Sequence, residues 1–296
     1  MIDGKRVTAW TPYGRRRTYS ILIKYLQRDV ERGLVDEAWL YMNTDPQGQE
    51  DDIAYAHELA ERFDWVKLKH RPEGADLGQL PKQRYTGLAY REMVDPEAVY
   101  VRFDDDVVYI HEAAIENLVR ARLQMPAPTA VFPIIFNNAL CSYFLQVCRK
   151  VPMEWGEVKP YCMDPIGWAS GPFAVQLHEL LLDHIERDAV PDLYLYQDFP
   201  IQNPNDGSNG MQFSVSCFAS RGSMYAALKP PGVLMPDQII EEEHWHTERQ
   251  PLKLNIPNVM ISNAIVSHYT FYTQHPFFEG TDILERYALL AKGLNA

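Results

Sequence analysis

Residues 98–106 read AVYVRFDDD, an apolar run that ends in three consecutive aspartates. The run Ala98–Phe103 has the length and composition of a buried β-strand, and such strands are typical of parallel sheets. Ligands of open α/β sheets bind outside the carboxyl ends of the strands, and Asp104, Asp105 and Asp106 lie at such an end. This stretch therefore indicates both a fold class and the position of a site.

Short apolar runs alternate with amphipathic helical patterns before and after this stretch. The predicted strands of the first part are Arg6–Trp10, Glu37–Met42, Trp65–His70 and Ala98–Phe103, and the predicted helices are Thr18–Arg32, Asp51–Phe63, Lys82–Met93 and His111–Leu123. This alternation predicts parallel βαβ units, in which helices flank a mostly parallel sheet.

The second half of the sequence is less regular. Its predicted elements are strands at Ala130–Phe136 and Asn263–His268, helices at Phe173–Glu186, Pro236–His246 and Thr281–Leu290, with Thr281 as N-cap, and a loop over Asp198–Met211. Because no linker-like stretch separates the halves, we expect one α/β domain with an elaborated C-terminal half.

Composition excludes several classes of protein. Among 296 residues, 28 are Lys or Arg and 40 are Asp or Glu, which gives a net charge of −12 and disfavours general binding to nucleic acid. The four cysteines include no C-x-x-C pair, and four in 296 residues are too few for a disulfide scaffold, so we expect reduced thiols. No run of about 18 apolar residues predicts a membrane span, and the N-terminus has no signal-peptide pattern, so we expect a cytoplasmic protein.

The three aspartates favour a divalent cation. Adjacent carboxylates repel one another unless positive charge lies among them, and Mn²⁺ and Mg²⁺ prefer carboxylate oxygens. In an extended segment residues i and i+2 share a face, so Asp104 and Asp106 could reach one cation. Asp105 is then left for a sugar hydroxyl or a structural contact. The alternative interpretation is an acidic turn at the surface.

A basic run, Arg15 to Arg17, follows the loop after the first predicted strand. Guanidinium groups match phosphate geometry, whereas positive charge is unfavourable at a helix N-terminus. A bound diphosphate would relieve that conflict, so we expect Arg15 or Arg17 to contact phosphate. The alternative is a solvated charged run.

The order βαβαβ, strand and D-x-D over the first 125 residues resembles the nucleotide-sugar-dependent glycosyltransferases of GT-A fold. The resemblance implies a Rossmann-type sheet that binds a nucleotide-diphosphate sugar, with Mn²⁺ or Mg²⁺ on Asp104 and Asp106. It also implies that His268, after a C-terminal strand, completes the metal shell; the alternative is a half-buried histidine bonded to a backbone carbonyl. The further donor contacts that it implies are Thr11, Pro12, Tyr13, Asp45, Asp105 and either Lys82 or Arg84.

A catalytic base is predicted in the second half. An inverting transfer needs one carboxylate to take the acceptor hydroxyl proton. The resemblance places this residue in an acidic pair at a helix start, which Glu242 and Glu243 match, with Asp198 as the reserve candidate. Like charges raise the pKa of one member of such a pair, although a solvated acidic helix face is the alternative.

These observations predict a metal-dependent glycosyltransferase of the hexosyltransferase class, which acts on an acceptor hydroxyl. Residues 1–125 would bind the nucleotide sugar, and residues 126–296 would bind the acceptor and close the domain. The alternatives are a sugar nucleotidyltransferase, which the single glycine in the loop TPYGRRR (11–17) disfavours, and a non-catalytic nucleotide-binding protein. The donor sugar, nucleobase, acceptor, stereochemistry and oligomeric state stay open.

Overall fold

A computed structural model of the chain describes residues 1–45, 47–70, 86–227, 232–233 and 239–294. The strands in these ranges are β1 (Val7–Tyr13), β2 (Glu37–Met42), β3 (Val66–Lys69), β4 (Val99–Phe103), β5 (Val107–Ile110), β6 (Val131–Phe136), β7 (Phe199–Ile201), β8 (Cys217–Arg221), β9 (Gly232–Val233), β10 (Ile239–Ile240) and β11 (Asn258–His268). The α-helices are α1 (Arg16–Glu31), α2 (Glu50–Arg62), α3 (Ala114–Gln124), α4 (Ala139–Val147), α5 (Gly171–Glu186), α6 (Gly222–Ala227), α7 (Glu242–His244), α8 (Gln250–Leu254), α9 (His275–Phe278) and α10 (Ile283–Gly293).

Nine of the described strands form one sheet with the order β3-β2-β1-β4-β8-β6-β11-β5, and β7 pairs with β11. Strands β1 to β4 run parallel to one another, β8 opposes β4 and β6, and β6 runs parallel to β11. Six strands therefore share one direction, and only β5, β7 and β8 oppose it. This arrangement confirms the predicted α/β class with a mostly parallel sheet flanked by helices. Strands from both halves of the chain join this sheet.

The core lies along the central strands. All residues of β4, β5 and β6 are buried, as expected for strands that are covered on both faces. Pro133 lies inside β6, where it cannot donate a ladder hydrogen bond. The pairing register of β6 with β11 shifts between Met260 and Ile265, which lie opposite Phe132 and Ile134 on either side of this proline. The irregularity thus coincides with the missing donor.

The three aspartates form a turn between β4 and β5. Val107 N donates to Asp104 O at 3.2 Å, and Asp104 N donates to Ser216 O at 2.8 Å. The strand β5 then pairs antiparallel with the end of β11, with His268 opposite Val107. This register brings the C-terminal end of β11 next to the aspartates.

Several predicted element ends need correction. Thr11 to Tyr13 were predicted as loop, but they continue β1 because they pair with Leu40 to Met42 of β2. Strand β5 was not predicted, and it delays the helix expected at His111 until Ala114. The predicted loop Asp198–Met211 contains β7, which pairs with β11.

Two predicted helices differ in kind from the structure. An α-helix was expected over Lys82–Met93, but the described part of this segment, Thr86–Glu92, is a 3₁₀-helix. Residues 86–90 of this 3₁₀-helix are all buried, so it does not have the exposed polar face of an amphipathic helix. The helix expected over Pro236–His246 is wrong at residues 239–240, because the β-branched pair there forms β10. Helical structure begins at Glu242 and continues through a π-helical stretch, Trp245–Arg249, into α8.

The predicted cap of the closing helix is also wrong. Helix α10 begins at Ile283, after Asp282, whose side chain makes no capping hydrogen bond. The Thr281 hydroxyl instead donates to Phe278 O at 3.0 Å, so it satisfies a carbonyl at the end of α9.

In the described ranges, no helix combines the length and the apolar character needed to cross a bilayer.

Candidate metal centre and its cavity

Three side chains with metal-binding atoms converge where the β4–β5 turn meets the end of β11. Asp104, Asp106 and His268 each offer one such atom, and these atoms all lie within 4.8 Å of one another. Two ligands of one Mg²⁺ can lie up to about 4.2 Å apart, so small side-chain adjustments bring the three within reach of one cation. Two carboxylates with an imidazole form a donor set that suits Mn²⁺ or Mg²⁺. The cluster could therefore hold a metal ion.

Asp106 and His268 are nearly inaccessible to solvent, at 3% and 4% exposure. His268 Nε2 lies 3.2 Å from Asp106 Oδ2. Burial alone would lower the pKa of His268, but the Asp106 carboxylate raises it above its ordinary value. Burial likewise opposes ionisation of Asp106, yet His268 and Arg15 hold the pKa of Asp106 below its usual range. Each member of the pair therefore stabilises the charged form of the other.

One atom of each of these two side chains has no hydrogen-bond partner. Asp106 Oδ1 and His268 Nδ1 are buried and unsatisfied by any residue that the structure describes. Buried polar atoms are nearly always satisfied, by protein, water or an ion. Both atoms belong to residues of the cluster, so the residues present fit a bound cation.

Asp105 has a structural role in this arrangement. Gly14 N donates to Asp105 Oδ2 at 2.8 Å, and Arg15 Nε donates to Asp105 Oδ1 at 2.8 Å. Arg15 also reaches Asp106 Oδ2 at 3.0 Å through its NH1 group. Burial raises the pKa of Asp105 to about 6 although Arg15 opposes this effect. Asp105 therefore joins the loop after β1 to the aspartate turn, which matches the structural contact that the sequence left open.

Negative charge exceeds positive charge around the cluster. Four carboxylates meet two guanidinium groups here: Asp104, Asp105, Asp106 and Glu242 against Arg15 and Arg102. Four negative charges less two positive charges leave two, and one negative charge remains uncompensated even when His268 is protonated. Uncompensated buried charge is costly, and one divalent cation would balance it.

Glu242 lines the same cavity as the cluster, but its carboxylate is buried and engaged by other side chains. Its side chain is 5% exposed, and Arg102 Nε and NH2 donate to its two oxygens at 2.5 Å and 3.1 Å. The Tyr90 hydroxyl also donates to Glu242 Oε1. Both of its oxygens are already engaged by these three donors, so Glu242 does not have the surroundings of a general base.

Glu243 has those surroundings. Its side chain accepts from Gln212 Nε2 at 3.0 Å and from Cys162 Sγ at 3.5 Å, both on Oε1. Burial is the main cause that raises the pKa of Glu243 to about 7, and the neighbouring Glu241 and Glu242 add to it. A carboxylate with a pKa near neutral pH that lines a cavity suits general acid–base chemistry.

A cavity of about 460 Å³ joins these groups. Its walls come from the ends of β1, β2, β4 and β11, the segment before β8 and the start of α7. The lining residues that matter for the chemistry are Arg15, Asp104, Asp105, Asp106, Glu243 and His268. The volume suits a small-molecule ligand. A second cavity, also about 460 Å³, lies beside it and shares Arg15, Asp106 and Thr270.

The residues predicted to contact the donor lie in different places in the structure. Pro12 and Arg15 line the first cavity, whereas Arg17 lines the second. Thr11 and Tyr13 are buried, and the Tyr13 hydroxyl donates to Asp52 O at 2.6 Å. Neither residue lines either cavity.

Three other predicted contacts stand apart. Asp45 is exposed and is not among the residues that line either cavity. Its Oδ1 accepts from Gln47 N at 3.1 Å. Lys82 and Arg84 lie outside the described residues.

Asp198 is not brought to the site. Its Oδ1 accepts from Ser262 N and Ser262 Oγ, both at 2.8 Å. Ser262 lies before Ile265 in β11, and the paired residues from Ile265 to His268 alone span about 10 Å, because strands advance about 3.3 Å per residue. Asp198 therefore lies at least about 10 Å along the strand from the cluster, and it lines neither cavity.

Sequence reasoning missed Arg102, Tyr90, Gln212 and Cys162. Arg102 had a detectable signal, because a lone charge inside the apolar run of β4 must find a buried partner. The other three act through tertiary contacts with Glu242 and Glu243, and no local pattern marks them.

Comparisons with known proteins found only distant likenesses. No protein-family model matches the chain, and no curated protein sequence matches it. A mycobacterial protein is 13% identical, with a TM-score of 0.45 over 98% of this chain and 75% of that chain. The 4-diphosphocytidyl-2C-methyl-D-erythritol synthase of Anaerococcus prevotii DSM 20548 is 13% identical, with a TM-score of 0.41 over 98% and 97% of the two chains.

A glycosyltransferase is also among the structural neighbours. Glucosyl-3-phosphoglycerate synthase of Mycobacterium tuberculosis, in complex with Mn²⁺, UDP-glucose and phosphoglyceric acid, is 15% identical. Its TM-score is 0.35, and the likeness covers 63% of this chain and 67% of that chain. The neighbours thus include a sugar transferase and a nucleotidyltransferase, and at this distance none of them assigns an activity to the chain.

Proposed function

We propose that the chain transfers a hexosyl group from a nucleotide-diphosphate sugar to an acceptor hydroxyl with the help of Mn²⁺ or Mg²⁺. Asp104, Asp106 and His268 would hold the cation. When bound, the cation acts as a Lewis acid that stabilises the charge on the leaving diphosphate. The observation that carries the proposal is the pair of orphaned buried atoms, Asp106 Oδ1 and His268 Nδ1, in a cluster with excess negative charge.

Arg15 is the residue best placed to meet the donor phosphates. Its guanidinium group lines both cavities, and its side chain is half exposed while it contacts Asp105 and Asp106. Guanidinium groups bind phosphate oxygens through paired hydrogen bonds. Arg15 would orient the diphosphate next to the Asp106 carboxylate.

Glu243 would take the acceptor proton. In a single displacement, the acceptor oxygen forms a bond to the anomeric carbon, and the bond from that carbon to the diphosphate oxygen breaks. The electron pair leaves with the nucleoside diphosphate, and the hydroxyl proton moves to Glu243. A pKa of about 7 leaves the carboxylate ionised in a useful fraction of molecules and basic enough to accept this proton.

Glu243 also favours sugar transfer over nucleotidyl transfer. The nucleophile of a sugar nucleotidyltransferase is a phosphate oxygen, which is already ionised near pH 7 and needs no base. A hydroxyl acceptor does need one. A near-neutral carboxyl in the same cavity as the metal cluster therefore fits a hydroxyl acceptor better.

A thermal-shift screen with UDP, GDP, CDP and dTDP sugars, each with and without Mn²⁺, tests the proposal. We expect one donor class to raise the melting temperature only when Mn²⁺ is present, because a ligand of the native state stabilises it. The same donor should release nucleoside diphosphate when acceptors are added. Release of pyrophosphate from a nucleoside triphosphate would instead indicate a nucleotidyltransferase, and binding without turnover would indicate a binding protein.

A pair of aspartate variants sharpens this experiment. Asp106→Asn removes one ligand charge at nearly constant shape, and it should abolish the Mn²⁺-dependent shift. Asp192→Asn makes the same change at an exposed position, where the carboxylate has no hydrogen bond or ion pair with the described residues, and it should behave as the wild type. Equal shifts in all three proteins would contradict the proposed site.

A further inference from the structure

The buried Arg102 side chain divides its donors between three partners. Nε and NH2 donate to the two oxygens of Glu242, at 2.5 Å and 3.1 Å. NH1 donates to Val215 O at 2.6 Å and reaches Asp104 Oδ1 at 2.9 Å. Arg102 thus links a buried carboxylate to a candidate cation ligand.

Asp104 is engaged on one oxygen only. In the described part of the chain, no hydrogen bond or ion pair reaches its Oδ2, and its side chain is 26% exposed towards the cavity. Oδ2 is therefore the oxygen that remains for a cation. The Oδ1 contact with Arg102 fixes the rotation of the carboxylate.

Glu242 is itself fixed from the other side. The Tyr90 hydroxyl donates to its Oε1, and the Tyr90 ring packs edge-on against Trp10 with centroids 5.0 Å apart. The backbone carbonyl of Glu242 accepts from the His246 ring, Nδ1 to O at 2.9 Å. Both the main chain and the side chain of Glu242 are anchored.

We propose that Glu242 and Tyr90 are positioning residues, which hold Arg102 so that Asp104 keeps one oxygen free for the divalent cation. The inference rests on the cation site of the proposed function, and it assigns to Glu242 a role other than the base that its sequence pattern suggests. The structure provides three consecutive links, from Tyr90 to Glu242, from Glu242 to Arg102 and from Arg102 to Asp104.

The physical reason is competition for Asp104. A guanidinium group pairs best with a carboxylate through two parallel hydrogen bonds. If Glu242 loses its charge, Arg102 loses its strongest partner and becomes available to bind both oxygens of Asp104. Its uncompensated positive charge then also repels a cation. Losing a residue that orients a ligand typically lowers metal affinity by about 10- to 100-fold.

Titration of Mn²⁺ alone, followed by the electron paramagnetic resonance signal of free Mn²⁺, tests the inference without any donor. Glu242→Gln is expected to raise the Mn²⁺ dissociation constant by about 10- to 100-fold. Tyr90→Phe keeps the packed ring and removes only the hydroxyl, and it should raise the constant by less, but measurably. Glu61→Gln is the matched control, since this carboxylate is exposed on α2, lines neither cavity and should change the constant by less than about threefold.

The outcomes separate the cation site of the proposed function from the positioning role of Glu242 and Tyr90. A wild-type protein that binds no Mn²⁺ contradicts the proposed function itself. A wild-type protein that binds Mn²⁺, with unchanged binding in Glu242→Gln, overturns the positioning role. Should Glu242→Gln fail to fold, Tyr90→Phe decides, and affinity equal to that of the control overturns the inference. Normal Mn²⁺ affinity together with lost donor turnover in Glu242→Gln would make Glu242 the base.

Discussion

Replacement of Glu243 by Gln should stabilise the protein at alkaline pH while it removes activity. Burial raises the pKa of this carboxyl from 4.5 to about 7, so the native state binds the proton more tightly than the unfolded chain does. Ionisation of Glu243 therefore costs stability as the pH rises through 7. The cost is absent below pH 4.5, where both states are protonated.

The magnitude follows from the two pKa values. Each pKa unit corresponds to about 1.4 kcal/mol, so the full cost of ionised Glu243 is about 3 kcal/mol at pH 8. Glutamine keeps an oxygen that can accept from Gln212 and Cys162 and carries no charge. Glu243→Gln should thus gain about 3 kcal/mol at pH 8 and under about 1 kcal/mol at pH 5. In a chain of this length, 3 kcal/mol corresponds to a rise in melting temperature of about 5 °C.

Urea unfolding of the metal-free protein at both pH values measures this difference. Glu61→Gln serves as the control, because its charge is exposed on α2 and its loss should change the free energy of unfolding by less than about 0.5 kcal/mol at either pH. Loss of the general base should lower kcat by about 10²-fold or more, and the wild-type rate should rise with pH through about 7. A stability gain that is equal at pH 5 and pH 8 would refute the assignment of a raised pKa to Glu243.

Two further predictions concern binding and packing. Arg15→Ala should weaken nucleoside diphosphate binding by about 10-fold or more in calorimetry, because the complex loses charge-assisted hydrogen bonds. Arg17→Ala, which changes a residue of the neighbouring cavity, should change the affinity by less than about threefold. Equal losses of affinity in the two variants would contradict the assignment of diphosphate binding to Arg15 and not to Arg17. Gly222→Ala should cost about 1–3 kcal/mol of unfolding free energy, since a Cβ there would lie 1.8 Å from Asp95 O, whereas Gly293→Ala, with open space, should not destabilise the chain.

The sequence carries enough local information for the first half of the sheet. The apolar run of β4 and the carboxylates after it predict a strand end with a site, because strand periodicity and charge are both local properties. The antiparallel pairing of β5 with β11 is not local, since its partners come from opposite ends of the chain. The meeting of His268 with Asp106 depends on this register, so from the sequence it was only an expectation by resemblance.

The choice among the acidic residues shows the same limit. Glu242 and Glu243 are identical neighbours in the sequence, but a helical turn directs one towards Arg102 and the other towards Gln212. Asp198 is the reserve candidate for the base in the sequence, but the pairing of β7 with the start of β11 places it far from the cluster. Burial and partners separate these three carboxylates, and both arise only in the folded chain.

The most direct measurement is the number of Mn²⁺ ions bound per chain, with UDP present, in the wild type and in Asp106→Asn. The account predicts one ion per wild-type chain at the Asp104, Asp106 and His268 cluster, and none in the variant at the same concentrations. A variant that retains the ion, or a wild type that binds none, would contradict the central claim that this cluster is the metal centre of a transferase.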